Sequence, residues 1–230
     1  EILEEARRLM FDVRLKTNAL LIGPEEARRL RELRLHEVHV SIYSQRAEAH
    51  DRITGVPGSL ERSLAAIRRL REVGQKVIVN HMAMRGAEGD HRAVKALAEE
   101  VGAAFRIDPG ITPRLDGDES NLALNIARRD FVEILRSPDY VGNVEEYCSP
   151  PGPVEADTLD GAGCGAGFAH CYIAPDGKVY PCVQFPLECG DLRRETFAEI
   201  WKDSPQLAEL RALRNRDLPV CAACSHQIGR

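Results

Sequence analysis

No cysteine occurs before Cys148, no apolar run approaches the roughly 18 residues of a membrane-spanning helix, and there is no surplus of positive charge. Each absence narrows the function. All seven cysteines lie at or beyond Cys148, and an odd number in a chain long enough to build a core argues against the paired disulfide framework of small secreted domains and for a reducing cytoplasm. The lack of a long apolar run leaves no membrane span. A formal net charge of −5 gives no basis for binding nucleic acid or an anionic membrane. What is present, 230 residues at 43% hydrophobic and 29% charged, suffices for one sizeable core or two modest ones. The arginine doublets Arg7-Arg8, Arg28-Arg29, Arg68-Arg69 and Arg128-Arg129 sit among glutamates on predicted helices and read as solvated faces.

The cysteines that do occur organise the chain. Cys164 to Cys182 reads CGAGFAHCYIAPDGKVYPC, and Cys221-Ala-Ala-Cys224 follows. Tyr172 and Ile173 before Pro175-Asp176-Gly177, with Val179 and Tyr180 after it, predict a hairpin with a tight Asp-Gly turn that brings Cys171 and Cys182 side by side. Thiols on both arms of a short hairpin, joined by a downstream CxxC, form a scaffold for zinc or an iron–sulfur cluster.

The spacing Cys164-x12-Gly177-x4-Cys182 and Cys221-x2-Cys224, with Val179-Tyr180-Pro181-Cys182, Gly190-Asp191-Leu192 and Phe197-Ala198-Glu199-Ile200-Trp201, resembles the SPASM domain over roughly residues 160–224. That domain is the auxiliary-cluster module of radical S-adenosylmethionine (radical SAM) enzymes. The resemblance implies that Cys164, Cys171 and Cys182 serve a first auxiliary 4Fe-4S cluster and that Cys221 and Cys224 begin a second. The related twitch domain implies instead one cluster on Cys164, Cys182, Cys221 and Cys224. Cys148, in the proline-rich stretch Ser149-Pro-Pro-Gly-Pro153, reads as a linker thiol; Cys189 lies outside the pattern, and His170 and His226 are minority ligand candidates.

Upstream, helical and extended periods alternate. Ile2, Leu3, Ala6, Leu9 and Met10 form a helical stripe, and Val13 and Leu15 lead a strand into Lys16-Thr17-Asn18. Gly23-Pro24 opens a helix carrying Ala27, Leu30 and Leu33, and Val38, Val40 and Ile42 alternate as a strand. A loop over residues 50–58 then leads to Ser59 as N-cap of a helix with Leu60, Leu64, Ile67 and Leu70, ended by Gly74. Residues 76–80 form a strand, Val94, Leu97, Ala98 and Val101 a helix, and residues 103–108 a further strand.

Such alternation builds parallel strands, in a doubly wound sheet or in a barrel, with chemistry at the strands' carboxyl ends. Those ends present Lys16, Thr17, Asn18, Ser41, Tyr43, Ser44, Asn80, His81 and Asp108. His50 and His81 read as structural, and Met82 and Met84 as packing residues. Residues 12–18, 38–44, 50–59 and 77–80 resemble successive segments of the radical SAM partial barrel. The resemblance implies an α/β fold, a partial (β/α) TIM-like barrel over residues 1–145, a linker over 146–160 and a small α+β SPASM or twitch domain with a β-hairpin over 161–230. It further implies that Ser41 and Asn80 contact S-adenosylmethionine, with Lys16 and Asn18 as weaker cavity-lining candidates.

The family's CxxxCxxC loop, which holds the cluster that cleaves S-adenosylmethionine, does not occur in the sequence. The chain opens at Glu1 inside a helical pattern and stops soon after a CxxC, so it is expected to be a fragment at both ends, inactive alone. The implied activity is that of a radical SAM oxidoreductase that modifies a peptide or protein through a 5′-deoxyadenosyl radical, with S-adenosylmethionine, 4Fe-4S clusters and a reducing partner such as flavodoxin or ferredoxin. A small-molecule substrate such as a tetrapyrrole is the alternative within the family. Outside it stand a structural zinc module on a non-catalytic α/β domain, and a domain that only recognises a peptide.

Overall fold

The computed structural model describes residues 1–87, 89–141 and 164–219 of the chain. Four strands, β1 Arg14–Thr17, β2 Glu37–Ser41, β3 Val77–Met82 and β4 Ala104–Asp108, form an all-parallel sheet in the order β1-β2-β3-β4. The spatial order follows the chain without reversal, as along an arc of a (β/α) barrel.

The sheet has two unlike faces because side chains alternate along each strand. Val38, Val40, Ile42, Val77 and Val79 point to one face and are fully buried. They belong to a single apolar cluster with Ala27 and Leu30 of helix α2 (Pro24–Glu32), Leu60, Ile67 and Leu70 of helix α4 (Ser59–Glu72), and Val94 and Ala98 of helix α5 (Asp90–Glu100). Burial of each such branched side chain contributes about 1.5–3 kcal/mol, which fixes the register of every strand. Lys16, His39, Ser41 and Asn80 therefore share the other face.

Two local expectations are corrected. Helix α1 (Ile2–Arg8) is shorter than its stripe: Leu3 packs on the core, whereas Ile2 and Met10 are 86% and 85% exposed and Met10 takes a left-handed φ of 66° as the chain turns toward β1. Within residues 50–58, where the sequence reads as a loop, His50 to Thr54 are helical. They lie in helix α3 (Ala47–Thr54), which opens on Ala47-Glu48-Ala49 and ends on left-handed Gly55. Ser59 is accordingly not the N-cap of α4. Gly58 holds that place, and the Asp51 carboxylate caps the helix from α3, accepting from the backbone N–H groups of Gly58 and Leu60 and from the Ser59 hydroxyl. Those donors hold the Asp51 carboxyl below its usual range, Leu60 N–H foremost. Helix α6 (Arg128–Leu135) and helix α7 (Pro138–Val141) follow the sheet.

The chain divides into two compact units, Glu1–Ile111 with Leu122–Val144 and Thr112–Asn121 with Glu145–Arg230. The second contains a three-stranded antiparallel sheet of β5 (Tyr172–Ile173), β6 (Lys178–Tyr180) and β7 (Gly190–Asp191). The expected hairpin turns at Pro175-Asp176-Gly177, with Gly177 at φ 86° and its N–H donating to Ala174 O. Helices α8 (Phe197–Asp203) and α9 (Pro205–Ala212) cover it, capped by Thr196 and Ser204, and bury Ile200 and Leu207 against Val179 and Cys189. No helix of the described residues is long and apolar enough to cross a membrane.

Candidate metal and cofactor site

Register sets the candidate residues of the first unit in rows across the polar face. Ser41 of β2 pairs with Asn80 of β3, which pairs with Arg106 of β4; one row back, Lys16 of β1 pairs with His39. Ser41 and Asn80 are thus direct neighbours at the carboxyl ends of adjacent strands and are both half-buried. Asn18 immediately follows β1 and is exposed; its Oδ1 accepts from Leu20 N–H, so its side chain closes a turn. Lys16 is exposed on the same face as His39.

The sequence reading missed two members of this face, His39 and Arg106. The period of two that selects Ser41 and Asp108 also selects them. His39 is 2% exposed, with Nδ1 3.2 Å from Asn80 Oδ1 and Nε2 3.0 Å from Glu37 Oε2. The Lys76 ammonium, 2.6 Å from Glu37 Oε1, holds that carboxyl at about 2 against its own burial. The His39 ring thus lies within hydrogen-bond distance of the Glu37 carboxylate at one nitrogen and of the Asn80 amide at the other, and braces the Asn80 side chain. One end of the Asn80 amide is thereby engaged and the other is available to a ligand. A hydroxyl and a constrained amide side by side suit the amino-acid and ribose groups of S-adenosylmethionine.

His50 and His81 each engage one ring nitrogen, and the Nε2 of each is buried without a partner among the described residues. His50 Nδ1 lies 3.0 Å from the Ser59 hydroxyl, and His81 Nδ1 lies 3.0 Å from Ile42 O while its ring stacks on Phe105. Burial, the largest cause at each, pushes both imidazoles toward the neutral form.

In the second unit the thiols sort into two kinds. The Cys164 sulfur accepts from Ala166 N–H at 3.4 Å and the Cys182 sulfur from Gln184 N–H at 3.3 Å, each donor two residues further on. Hydrogen bonds from N–H groups to cluster sulfurs are among the features that set the potential of an iron–sulfur centre. The Cys164 loop also reaches the end of the hairpin, because Gly167 N–H donates to Pro181 O beside Cys182. Cys171 and Cys189 pack instead with Val179, Ile200 and Leu207, and burial pushes both thiols up. Cys189 donates to Leu187 O, as a small apolar residue with one weak hydrogen bond does.

Among the described residues no three His, Cys, Asp or Glu side chains converge as a metal site. His170 is exposed. Cys148, Cys221, Cys224 and His226 lie outside the described residues, as does the linker. The donor set nevertheless fits a soft metal centre, since Cys164 and Cys182 each offer a backbone-supported sulfur. Beside Cys182 a cavity of about 620 Å³ opens between residues 112–116 and the hairpin, with Tyr172, Tyr180, Val183 and Gln184 on its wall. Tyr172 and Tyr180 face each other across the strands with ring centroids 6.2 Å apart.

Comparison with known proteins agrees with both halves of this description. Residues 1–97 match the radical SAM superfamily and residues 164–225 match SPASM, an iron-sulfur cluster-binding domain. The AdoMet-dependent heme synthase of Methanosarcina barkeri is 28% identical over 219 residues, covering 86% of this chain and 62% of that protein. The mycofactocin maturase MftC of Mycobacterium ulcerans is 26% identical over 238 residues, covering 98% of this chain and 63% of its own length. The chain thus spans under two thirds of these relatives. In fold it resembles crystalline Streptococcus suis SuiB bound to S-adenosylmethionine, with a TM-score of 0.67 at 15% identity over 97% of this chain and 55% of that one. The chain thus carries a radical SAM domain match over residues 1–97, within its parallel-sheet unit, and a SPASM domain match over residues 164–225, around its cysteine-bearing hairpin.

Proposed function

We propose that this chain is the substrate-handling and auxiliary-cluster part of a radical SAM oxidoreductase that modifies a peptide. Bound S-adenosylmethionine and iron–sulfur clusters supply the radical chemistry. The chain's own residues bind and orient. Ser41 and Asn80 hold S-adenosylmethionine at the strand ends, His39 keeps the Asn80 amide in one rotamer, and Lys16 and Asn18 line the approach. Cys164 and Cys182, together with Cys221 and Cys224, hold an auxiliary 4Fe-4S cluster. The backbone N–H donors at Cys164 and Cys182, contrasted with the apolar packing of Cys171, support the four-thiol arrangement over one that includes Cys171.

The observation that carries the proposal is the adjacency of Ser41 and Asn80 on the polar face of a sheet that matches the superfamily. The peptide substrate is supported by relatives named as a mycofactocin maturase and a PqqA peptide cyclase, and by the fold likeness to SuiB, which is also known bound to a precursor peptide. The aromatic wall of Tyr172 and Tyr180 suits an apolar peptide side chain. A reducing partner of the flavodoxin or ferredoxin type and a cytoplasmic setting accompany the reading, because exposed cluster thiolates need reduction and protection from oxidants.

A tetrapyrrole substrate is the second reading, favoured by the 27–28% identity to AdoMet-dependent heme synthases from three organisms. Anaerobically purified protein, expressed from its whole gene with dithionite and S-adenosylmethionine, tests both. Mass change in a peptide substrate is expected; turnover of a tetrapyrrole with an unchanged peptide would shift the assignment to the second reading. Absence of 5′-deoxyadenosine with either substrate would overturn both. Asn80→Ala is expected to weaken S-adenosylmethionine binding about tenfold by calorimetry, the equivalent of one hydrogen bond to a charged group.

A further inference from the structure

Arg211 of α9 carries a positive charge into the second unit without a carboxylate to balance it among the described residues. Its Nε donates to Gly167 O at 2.8 Å and its Nη1 to Trp201 O at 2.7 Å, and the guanidinium lies 4.6 Å from the centroid of the Trp201 ring. Its Nη2 is fully buried and has no partner among the described residues. Two carbonyls and an indole face soften the burial of a guanidinium, but they do not neutralise it. A cation held this rigidly, with a donor to spare, marks a place where negative charge is expected.

The surroundings identify that charge. Gly167 lies in the loop between Cys164 and Cys171, and the same residue's N–H reaches Pro181 O, next to Cys182. Arg211 is therefore bonded to the backbone that joins two of the candidate cluster ligands. A 4Fe-4S centre on four thiolates is a net anion in each of its common states, and one-electron reduction makes it more negative still. A fixed cation nearby stabilises the reduced form more than the oxidised form, because the interaction grows with the charge of the centre.

We propose that Arg211 is the counter-cation of the auxiliary cluster, a positioning residue that braces the Cys164 loop through Gly167 and raises the reduction potential of the centre. The proposal rests on the reading of this unit as a cluster holder, and the two fail differently. Redox titration of the anaerobically reconstituted protein, with dithionite as electron source and the auxiliary-cluster EPR signal as readout, tests it on the wild type, Arg211→Lys and Arg211→Gln.

Arg211→Gln, which keeps a donor and loses the charge, is expected to lower the midpoint potential, and Arg211→Lys to stay near the wild type. Equal potentials in all three proteins would overturn the proposal and leave the cluster assignment standing. Loss of the cluster in both variants alike would make Arg211 a brace only and also overturn the role of its charge. No auxiliary signal in the wild type would overturn the underlying reading.

Discussion

Among the described residues, the parallel-sheet unit buries eighteen hydrophobic residues in one cluster, whereas the apolar cluster of the hairpin unit has four buried members, one of them a cysteine. Valine and isoleucine on β2 and β3 meet leucine stripes from α2 and α4, an arrangement that needs nothing but the chain. The hairpin unit has strands of two and three residues and two short helices. Elements this short bury little apolar surface against their ordering entropy among the described residues, so a cross-link of another kind is expected to contribute. Metal–thiolate bonds are the cross-link that its residues can make.

The contrast is sharpest on removal of iron. Chelation under anaerobic conditions is expected to abolish hydrogen-exchange protection across residues 164–191 and to leave β2 and β3 protected. Retention of protection in the hairpin after complete iron loss would mean that its small core suffices.

Core substitutions probe the same difference from the other side. Leu70→Ala, at a fully buried site in α4, is expected to cost about 2–5 kcal/mol in the sheet unit without changing iron content. Gly190→Ala places a methyl group 2.6 Å from Ile200 Cγ1, and is expected to destabilise the hairpin unit by about 1–3 kcal/mol and to lower its iron content. Parallel denaturant melts and iron assays check both. Equal iron loss in the two variants would erase the distinction between the units.

The smallest expected effect is electrostatic. The Glu37 carboxyl is held at about 2 in the folded chain, below its ordinary value, chiefly by Lys76. The stability it contributes is therefore complete above the ordinary carboxylate range and is lost as pH falls toward 2. Glu37→Gln should lower the sheet unit's stability at neutral pH, flatten its acid limb, and converge on the wild type as pH falls toward 2. An unaltered acid limb would show that Glu37 does not govern it.

Strand alternation made the sheet legible in the sequence, because Val38, Val40 and Ile42 have one burial solution. Alternation also held the information about His39, which a search for strand-end residues passes over because it lies two residues before Ser41. Helix α3 was hidden for a different reason: its N-cap, Arg46, has no side-chain acceptor for the first-turn N–H groups, and the Asp51 carboxylate serves the following helix across nine residues. The cysteine spacing revealed the hairpin and its thiols but not their unequal surroundings. Only the fold shows Cys171 and Cys189 turned into apolar packing while Cys164 and Cys182 meet backbone N–H groups, and no spacing rule encodes that.

The most direct test of the account is iron and acid-labile sulfide per chain in anaerobically purified single-cysteine variants. Cys164→Ala and Cys182→Ala should lose the auxiliary cluster, whereas Cys171→Ala and Cys189→Ala should retain it with reduced stability. A colourless wild-type protein containing zinc, or iron retained after substitution of Cys164 and Cys182 together, would contradict it.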